Sequence, residues 1–373
     1  VREFINGSDA IIRGAVDAGC DFFAGYPITP ANSILVGMIR EMARTGGIAV
    51  QAEDEIASIG FCIAASMTGR RVFTATSGPG MSLYSENIGL AIMGETPMVI
   101  ADVQRMGPAT GGATTGAEGD IQFIRWGTSG GYPVVALCPT NIPEAYHLTM
   151  KAFHLAEMLR HPVFLVTSKE LVMLMDTVEI EKMAPDPVVG RRVFEGDGDF
   201  IPYAFDALSD VPLFSPIGGG RKVRFTTSIH DERAQITTNP AKIDRKLRHL
   251  AAKIDARAAE LSLVKTDIQE GSETLVISFG VCARAVPDAV KKMREEGMKV
   301  SSAVPLTLWP VPENILKPLV RSHRRIVVAE LNLGQYVREV ERLATPENEV
   351  RSVTRVDGLL IYPQQIAEGC LEK

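Results

Sequence analysis

Asp21-Phe22-Phe23-Ala24-Gly25-Tyr26-Pro27-Ile28-Thr29-Pro30 is the stretch from which the fold of this chain is read. A short apolar run ends at Gly25 and a turn follows. From Pro30 onward, apolar residues recur at helical spacing as Ile34, Leu35, Met38, Ile39 and Met42. The pattern is strand, turn, then helix over residues 30–43. Pro30 suits a first helical position, because its missing N–H would have no partner there anyway. A Gly-ended strand that meets a helix in this way leaves backbone N–H groups open to a ligand.

The same alternation extends in both directions. Upstream, residues 8–16 are amphipathic and begin with a capping Ser8. Downstream, strands are expected at 48–50, 71–76, 98–103, 133–137 and 161–166, separated by helices at 53–67, 81–93 and 143–159. Strands alternating with helices of this length imply a parallel sheet with helices on both faces. In such sheets ligands bind outside the carboxyl ends of the strands. Three loops at those ends are polar or glycine-rich: residues 25–30, 76–80 and 102–120.

From about residue 174 to 265 the texture changes. Pro185, Pro187, Gly190, Pro202, Pro212, Pro216 and Gly218-Gly219-Gly220 break any long periodicity, and a charged helix over 240–261 closes the segment. So long a stretch without regular structure is unusual unless it wraps something. A second alternating unit follows, with strands at 274–279, 299–304 and 325–330 and helices at 283–296, 315–322 and 334–344. The expected fold is therefore α/β: a doubly wound parallel-sheet domain over 1–172, an extended Pro/Gly-rich connector over 173–270, and a smaller α/β domain over 271–373.

Composition narrows the function classes. With 373 residues, 46% apolar and 23% charged, the chain has the makings of two or three packed domains. A net charge of -6 leaves no electrostatic footprint for nucleic acid. No run of 18 apolar residues exists to span a membrane, and the first seven residues lack the apolar core of a secretory signal, so a cytoplasmic location is expected. Cys20, Cys62, Cys138, Cys282 and Cys370 are scattered singly, without a Cys-x-x-Cys pair. No metal site is expected on this chain, and any iron–sulfur carrier belongs to a partner. Gly-x-Gly-x-x-Gly at the first turn, the P-loop pattern and Gly-x-Ser-x-Gly are all missing, which sets aside the Rossmann, P-loop and serine-hydrolase readings.

Four stretches in order carry a resemblance. They are Tyr26-Pro27-Ile28-Thr29-Pro30, Gln51-Ala52-Glu53-Asp54-Glu55-Ile56-Ala57, Thr76-Ser77-Gly78-Pro79-Gly80, and Asp102-Val103-Gln104-Arg105-Met106-Gly107-Pro108-Ala109-Thr110-Gly111. Together they resemble the large (alpha) subunit of 2-oxoacid:ferredoxin oxidoreductases, of the 2-oxoglutarate type. The likeness continues through Thr226-Thr227-Ser228-Ile229-His230-Asp231-Glu232-Arg233 and Val328-Ala329-Glu330-Leu331-Asn332-Leu333-Gly334-Gln335.

The resemblance implies that the first domain is the pyrimidine-binding half of a thiamine diphosphate site and that the last domain is transketolase C-terminal-like. A smaller beta subunit would supply the diphosphate-binding half, Mg2+ and a [4Fe-4S] cluster. Gamma and ferredoxin-like delta subunits, ferredoxin and coenzyme A complete the implied assembly. The reaction implied is coenzyme A-dependent oxidative decarboxylation of 2-oxoglutarate to succinyl-CoA and CO2, run in either direction.

The resemblance also implies roles for single residues. Thiamine must lose its thiazolium C2 proton to its own imino group, and a buried carboxyl on the pyrimidine nitrogen favours that tautomer. Glu55 takes this role, with Glu53 the competitor two residues away and Asp54 a helix-start acid. Arg105 is the partner of the substrate 1-carboxylate, which a guanidinium meets in bidentate fashion. Thr29 offers its hydroxyl to substrate or cofactor. Tyr26, Pro27, Ile28, Ser77, Gly78 and Pro79 complete the expected cofactor contacts.

Many relatives read Arg-Gly-Gly-Pro-Ser-Thr-Gly where this chain has Met106 and Ala109, which bears on side-chain specificity. Gly196-Asp197-Gly198-Asp199 imitates the start of a magnesium–diphosphate motif but lacks its strand and its Asn, and reads as an acidic surface loop. Gly334-Gln335 is either a helix cap or a ligand-facing turn. Alternatives stay open at this point: a branched-chain 2-oxoacid or pyruvate enzyme, a thiamine enzyme without electron transfer, or a non-catalytic scaffold subunit.

Overall fold

The computed structural model describes residues 1–371, apart from the side chains of Glu181 and Lys182. The chain starts with β1 (Arg2–Asn6), α1 (Gly7–Asp17), β2 (Phe22–Gly25), α2 (Asn32–Thr45), β3 (Ile48–Gln51), α3 (Glu55–Met67), β4 (Val72–Thr76), α4 (Gly78–Met93) and β5 (Met98–Gln104). It continues through α5 (Ile121–Trp126), β6 (Val135–Leu137), α6 (Ile142–Leu159), β7 (Pro162–Ser168), α7 (Lys169–Met173) and β8 (Met175–Glu179). After a long irregular stretch come α8 (Pro240–Asp255), α9 (Ala258–Leu261), β9 (Val264–Asp267), β10 (Thr274–Ser278), α10 (Val286–Glu295), β11 (Val300–Pro305) and β12 (Thr307–Trp309). The last elements are α11 (Glu313–Ser322), β13 (Arg325–Glu330), α12 (Val337–Leu343), β14 (Glu349–Thr354) and α13 (Pro363–Leu371).

Seven strands form the first sheet, in the order β12-β6-β7-β5-β4-β2-β3. The central strands β4, β5 and β7 are buried along their whole length, as parallel strands covered on both faces must be. All its pairings are parallel except the last: β12, from far downstream, adds antiparallel to β6 through Thr307↔Leu137 and Trp309↔Ala136. Sequence patterning does not reveal this edge strand, which is three residues long and belongs by position to the other domain. The second sheet runs β14-β13-β10-β11-β9, parallel apart from the antiparallel edge β9.

One apolar core lines the α1, α2 and α6 face of the first sheet, through Phe23, Phe73, Val99 and Leu165. The core on its other face holds Met81, Tyr84, Ile100 and Val166, and runs without interruption into Leu275, Phe279, Trp309 and Tyr336 of the second unit. The two sheets are thereby joined through buried apolar surface, with Trp309 Nε1 donating to Ile121 O at 3.0 Å.

Several element starts differ from expectation for clear reasons. The cap of α1 is Asn6, whose side chain accepts from Asp9 N at 2.8 Å, and not Ser8, whose hydroxyl meets Ser33 and Val172 O. Helix α2 begins at Asn32 because Ala31 O accepts the first helical bonds, from Ile34 N and Leu35 N, which leaves Pro30 in the turn. Helix α4 begins at Gly78, not 81: Ser77 O accepts from Gly80 N and Met81 N, so Gly-Pro-Gly is its first turn. Helix α12 starts at Val337, because side chains of Asn332 and Glu330 take the amides of Gly334 to Val337.

The irregular stretch between residues 184 and 239 is held by buried charges. Arg191 pairs with Glu157 at 2.6 Å, and Arg160 donates to Pro212 O and Leu213 O. Helix α8, the first part of the charged helix expected over 240–261, sends three side chains inward to one acid. Lys246 Nζ, Lys253 Nζ and His249 Nε2 reach the Glu95 carboxylate at 2.7, 2.9 and 3.1 Å. Burial alone would raise the Glu95 carboxyl, but Lys246, Lys253 and His249 hold it well below the usual range. The reciprocal effect appears at Lys253, which burial pushes down to about 8 against the pull of Glu95. Replacing Glu95 by Ala strands two buried ammonium groups, and should cost about 3–5 kcal/mol of stability. Urea unfolding is the check; a loss below about 1 kcal/mol would show that water screens the pair.

Candidate active site

Three strand ends build the site. Thr76 of β4 sits beside Asp102 of β5, and Asp102 beside Val166 of β7, so the loops after β2, β4 and β5 emerge at one carboxyl edge. Of the three acids at the start of α3, Asp54 is the cap, accepting from Ala57 N at 2.7 Å, and Glu53 and Asp54 face solvent. Glu55 is buried at 5% exposure, and its carboxylate has no hydrogen-bond partner among the described residues.

Helices α3 and α4 approach closely where they begin. A Cβ on Gly80 would overlap Thr76 Oγ1 and lie 2.8 and 2.9 Å from Glu55 Cγ and Oε1. Glycine at 80 is thus what lets the Glu55 carboxyl lie against the first turn of α4. Thr76 Oγ1 and Ser77 Oγ are buried beside it without partners. Buried polar atoms left unpaired in a folded chain mark a strained spot or the place of an external group. Behind them Tyr84 Oη bonds Ser58 and Thr74 at 3.0 and 2.7 Å, and burial first, with Glu55 contributing, pushes its phenol far up.

Arg105 follows directly on β5 and is 6% exposed. Its Nη1 donates to Thr29 O at 2.5 Å and its Nη2 to Thr110 O at 3.0 Å, while Nε is buried without a partner. The guanidinium thus spans from the loop after β5 to the turn after β2. In that turn Tyr26 and Ile28 are half-buried, Pro27 and Thr29 exposed, and Pro30 buried. Residues 106–112 form a tight loop closed by Gly112 N donating to Met106 O. Gly111 has φ +51°, and a Cβ on it would overlap the Met106 carbonyl.

The far part of this loop is anchored on the second sheet. Glu118 is fully buried, accepts from Val281 N at 2.8 Å and lies against Gly280, while Asn332 Nδ2 donates to Glu118 O. Burial pushes its carboxyl up to about 8, which favours the neutral form at pH 7. Gln335 Nε2 donates to Gly119 O at 2.6 Å, and Gln122 N to Gln335 Oε1. Gly334-Gln335 is therefore a turn that ties the loop down. The residues that sequence reasoning missed are Glu118, Asp102 and Asp120, which are lone acids without a spacing motif. Gly196-Asp197-Gly198-Asp199 lies away on the surface, where Asp199 pairs with Arg233. Among the described residues no His/Cys/Asp/Glu cluster fit for a metal is present, and all five cysteines are buried free thiols. No helix among them is long and apolar enough to cross a membrane.

A parallel α/β sheet with a buried, unpaired carboxyl, two orphan hydroxyls and a carbonyl-bound arginine at its carboxyl edge defines a cofactor-binding enzyme subunit. Residues 13–249 match the family described as "Pyruvate flavodoxin/ferredoxin oxidoreductase, thiamine diP-bdg", and residues 272–366 match "Pyruvate:ferredoxin oxidoreductase core domain II". The 2-oxoglutarate synthase subunit KorA of Methanocaldococcus jannaschii is 39% identical over 99% of both chains. The ketoisovalerate oxidoreductase subunit VorB of Methanothermobacter thermautotrophicus is 31% identical over 99% of this chain and 97% of its own. A solved 2-oxoglutarate:ferredoxin oxidoreductase from Magnetococcus marinus, with 2-oxoglutarate, coenzyme A and succinyl-CoA bound, superposes with TM-score 0.92 at 28% identity. The match covers 98% of this chain and 64% of that one. The chain belongs to the thiamine diphosphate-binding pyruvate flavodoxin/ferredoxin oxidoreductase family.

The close approach at Gly80 can be tested directly. Gly80→Ala should cost about 1–3 kcal/mol through overpacking against Thr76 and Glu55. Gly60→Ala, with open space around it in the middle of α3, should instead stabilise by about 0.5–1 kcal/mol. Urea midpoints of the two variants should move in opposite directions.

Proposed function

We propose that this chain is the pyrimidine-binding alpha-type subunit of a 2-oxoglutarate:ferredoxin oxidoreductase, which converts 2-oxoglutarate and coenzyme A to succinyl-CoA and CO2 while two electrons pass to ferredoxin. The observation that carries this reading is the meeting of Glu55, the Thr76–Gly80 turn and the Arg105–Thr29 contact at one sheet edge, in a chain that aligns end to end with a 2-oxoglutarate synthase subunit.

The donor set fits a thiamine pyrimidine. Glu55 presents a desolvated carboxyl with an open oxygen, and Thr76 and Ser77 hold hydroxyls that nothing in the chain satisfies. When bound, thiamine diphosphate supplies the carbon nucleophile and the electron sink. The residues of this chain bind, orient and move a proton. Glu55 would meet the pyrimidine ring nitrogen with its carboxyl, the contact that favours the basic tautomer of that ring. Tyr26, Pro27 and Ile28 and the Ser77-Gly78-Pro79 turn shape the walls of the pyrimidine pocket. Arg105, with one edge bound to carbonyls, presents its remaining positive charge to the substrate 1-carboxylate, and exposed Thr29 adds a hydroxyl at the same end.

Residues 1–172 would form the catalytic half, 173–270 the connector and 271–373 the buttress. Diphosphate, Mg2+ and an iron–sulfur cluster would sit on a smaller beta subunit, with gamma and ferredoxin-like delta subunits completing a cytoplasmic complex. A branched-chain substrate is the second reading. VorB is nearly as long a match, and Met106, next to Arg105, packs toward Gly358 of the second unit.

Co-expressed with its small subunit without oxygen, the chain should support coenzyme A-dependent viologen reduction with kcat/KM about tenfold higher for 2-oxoglutarate than for pyruvate or 2-oxoisovalerate. A reversed order overturns the substrate reading. Glu55→Gln should lower kcat by about 10²–10⁴ in a complex that still assembles; activity above a few per cent would remove Glu55 from the mechanism.

A further inference from the structure

The second sheet opens, at its carboxyl edge, a crevice that the first domain fills. The chain leaves β10 for β11 on one side and then crosses to β13 on the other, and both neighbours pair with β10 in parallel. In doubly wound sheets the gap where connections part in opposite directions, outside the carboxyl ends of the strands, is where ligands bind. Here that gap lies between Ser278, the last residue of β10, and Glu330, the last of β13. Gly280 and Val281 follow on one side, Leu331 and Asn332 on the other.

Glu118, from the loop after β5, sits in this gap and bridges both strand ends. Its Oε1 accepts from Val281 N at 2.8 Å, its own N–H donates to Leu331 O at 2.9 Å, and its carbonyl accepts from Asn332 Nδ2 at 2.8 Å. The side chain is fully buried, and Oε2 has no partner. Gly280 makes the room: its φ is +55°, and a Cβ there would overlap Glu118 Oε1.

Glu118 also stands between the two points that hold the neighbours of Arg105. Three residues before it, Thr115 O accepts from Met106 N at 2.9 Å. Two residues after it, Asp120 N donates to Gln104 Oε1 at 2.9 Å. A shift of residue 118 therefore pulls on the backbone at 104 and at 106 together. The other ties of this loop to the second sheet, from Gln335 to Gly119 and Gln122, run between half-buried residues.

We propose that Glu118 is a positioning residue: it serves the second domain as a built-in carboxylate ligand, and by holding residues 115–120 in the crevice it sets the place of the Arg105 guanidinium for the 2-oxoacid. The last step rests on the reading of Arg105 as the partner of the substrate carboxylate. A free carboxylate of the right size should then be able to do the work of the missing side chain.

Glu118→Ala removes Cγ and the carboxyl, which together have the heavy atoms of one acetate ion, and leaves Val281 N buried without an acceptor. The experiment uses the complex of this chain with its partner subunits, with viologen as acceptor at saturating coenzyme A. In Glu118→Ala the KM for 2-oxoglutarate should rise about ten- to a hundredfold, with kcat little changed. Added acetate should bring KM back down, and chloride at the same ionic strength should not. Glu118→Gln keeps an acceptor for Val281 N and should stay close to the wild type. Trp309→Phe cuts the nearby bond to Ile121 O but leaves the crevice filled, so KM should not move. Hydrogen exchange follows the same contact without substrate: peptides over 104–120 and 280–283 should exchange faster in Glu118→Ala and slow again with acetate.

Exchange at wild-type rates in Glu118→Ala, a raised KM that acetate does not lower, or an equal rise in Trp309→Phe overturns the proposal. Arg105→Lys separates the premise. If it leaves KM unchanged, the carboxylate reading of Arg105 fails, and exchange alone decides whether Glu118 fills the crevice. If it raises KM while Glu118→Ala does not, the positioning role is overturned. Should Glu118→Ala not assemble, the wild-type complex decides: exchange over 116–122 and 280–283 as slow as in β5 supports the proposal, and exchange as fast as in the surface loop 196–199 overturns it.

Discussion

The contact between the Arg105 guanidinium and the Thr29 carbonyl is the interaction on which the site depends. It reaches from the loop after β5 across the end of β4 to the turn after β2, and so ties these two loops to each other. A buried guanidinium is costly unless its donors are satisfied and its charge is balanced. Two carbonyls meet the first need. The same loop is then tied at its far end through Glu118 and Gly119 to the strand ends of the second sheet. The position of Arg105 is thereby coupled to the second domain.

That coupling explains why one apolar core runs through both sheets. If the units moved freely, the loop spanning residues 105–120 would move with them, and the contact of Arg105 with the Thr29 carbonyl would be lost. The continuous packing from Met81 through Phe279 to Tyr336, with β12 of the second unit pairing into the first sheet, resists such motion. The connector adds a second restraint on the opposite side, where Glu95 gathers Lys246, His249 and Lys253 from α8.

Periodicity made the alternating core legible, because strands buried on both faces must be apolar throughout and their helices must show a stripe. It misplaced helix starts where side chains decide them. Gly78-Pro79-Gly80 looks like a breaker, yet the Ser77 carbonyl makes it a first helical turn. Periodicity could not show that the lysines of α8 point inward, since a Lys at helical spacing is written identically whether it meets water or a buried Glu95. Nor could it show the Asp102–Asp120 pair: the two acids lie eighteen positions apart in the sequence, and the loop geometry alone brings them together. Glu55 was preferred to Glu53 through the family resemblance alone; the cap at Asp54 and the burial of Glu55 are visible only in the fold.

The site is also open on one side, and the helices that carry it show where. Ile56 and Phe61 on α3 and Leu83 on α4 are 50%, 43% and 45% exposed, on the same two helices whose first turns hold Glu55 and Gly80. Scattered apolar residues on a surface need no explanation, but several on adjacent helices beside an incomplete site do. Among the described residues no acid cluster is fit to hold the metal that accompanies a diphosphate. On the proposed reading, a partner that supplied the diphosphate end would lie near the α3 and α4 starts and would cover these side chains. The unpaired Glu55 carboxyl and the exposed apolar faces are then two consequences of one arrangement. On that reading the chain would hold half of a cofactor site, and this polar and apolar surface would be satisfied across an interface.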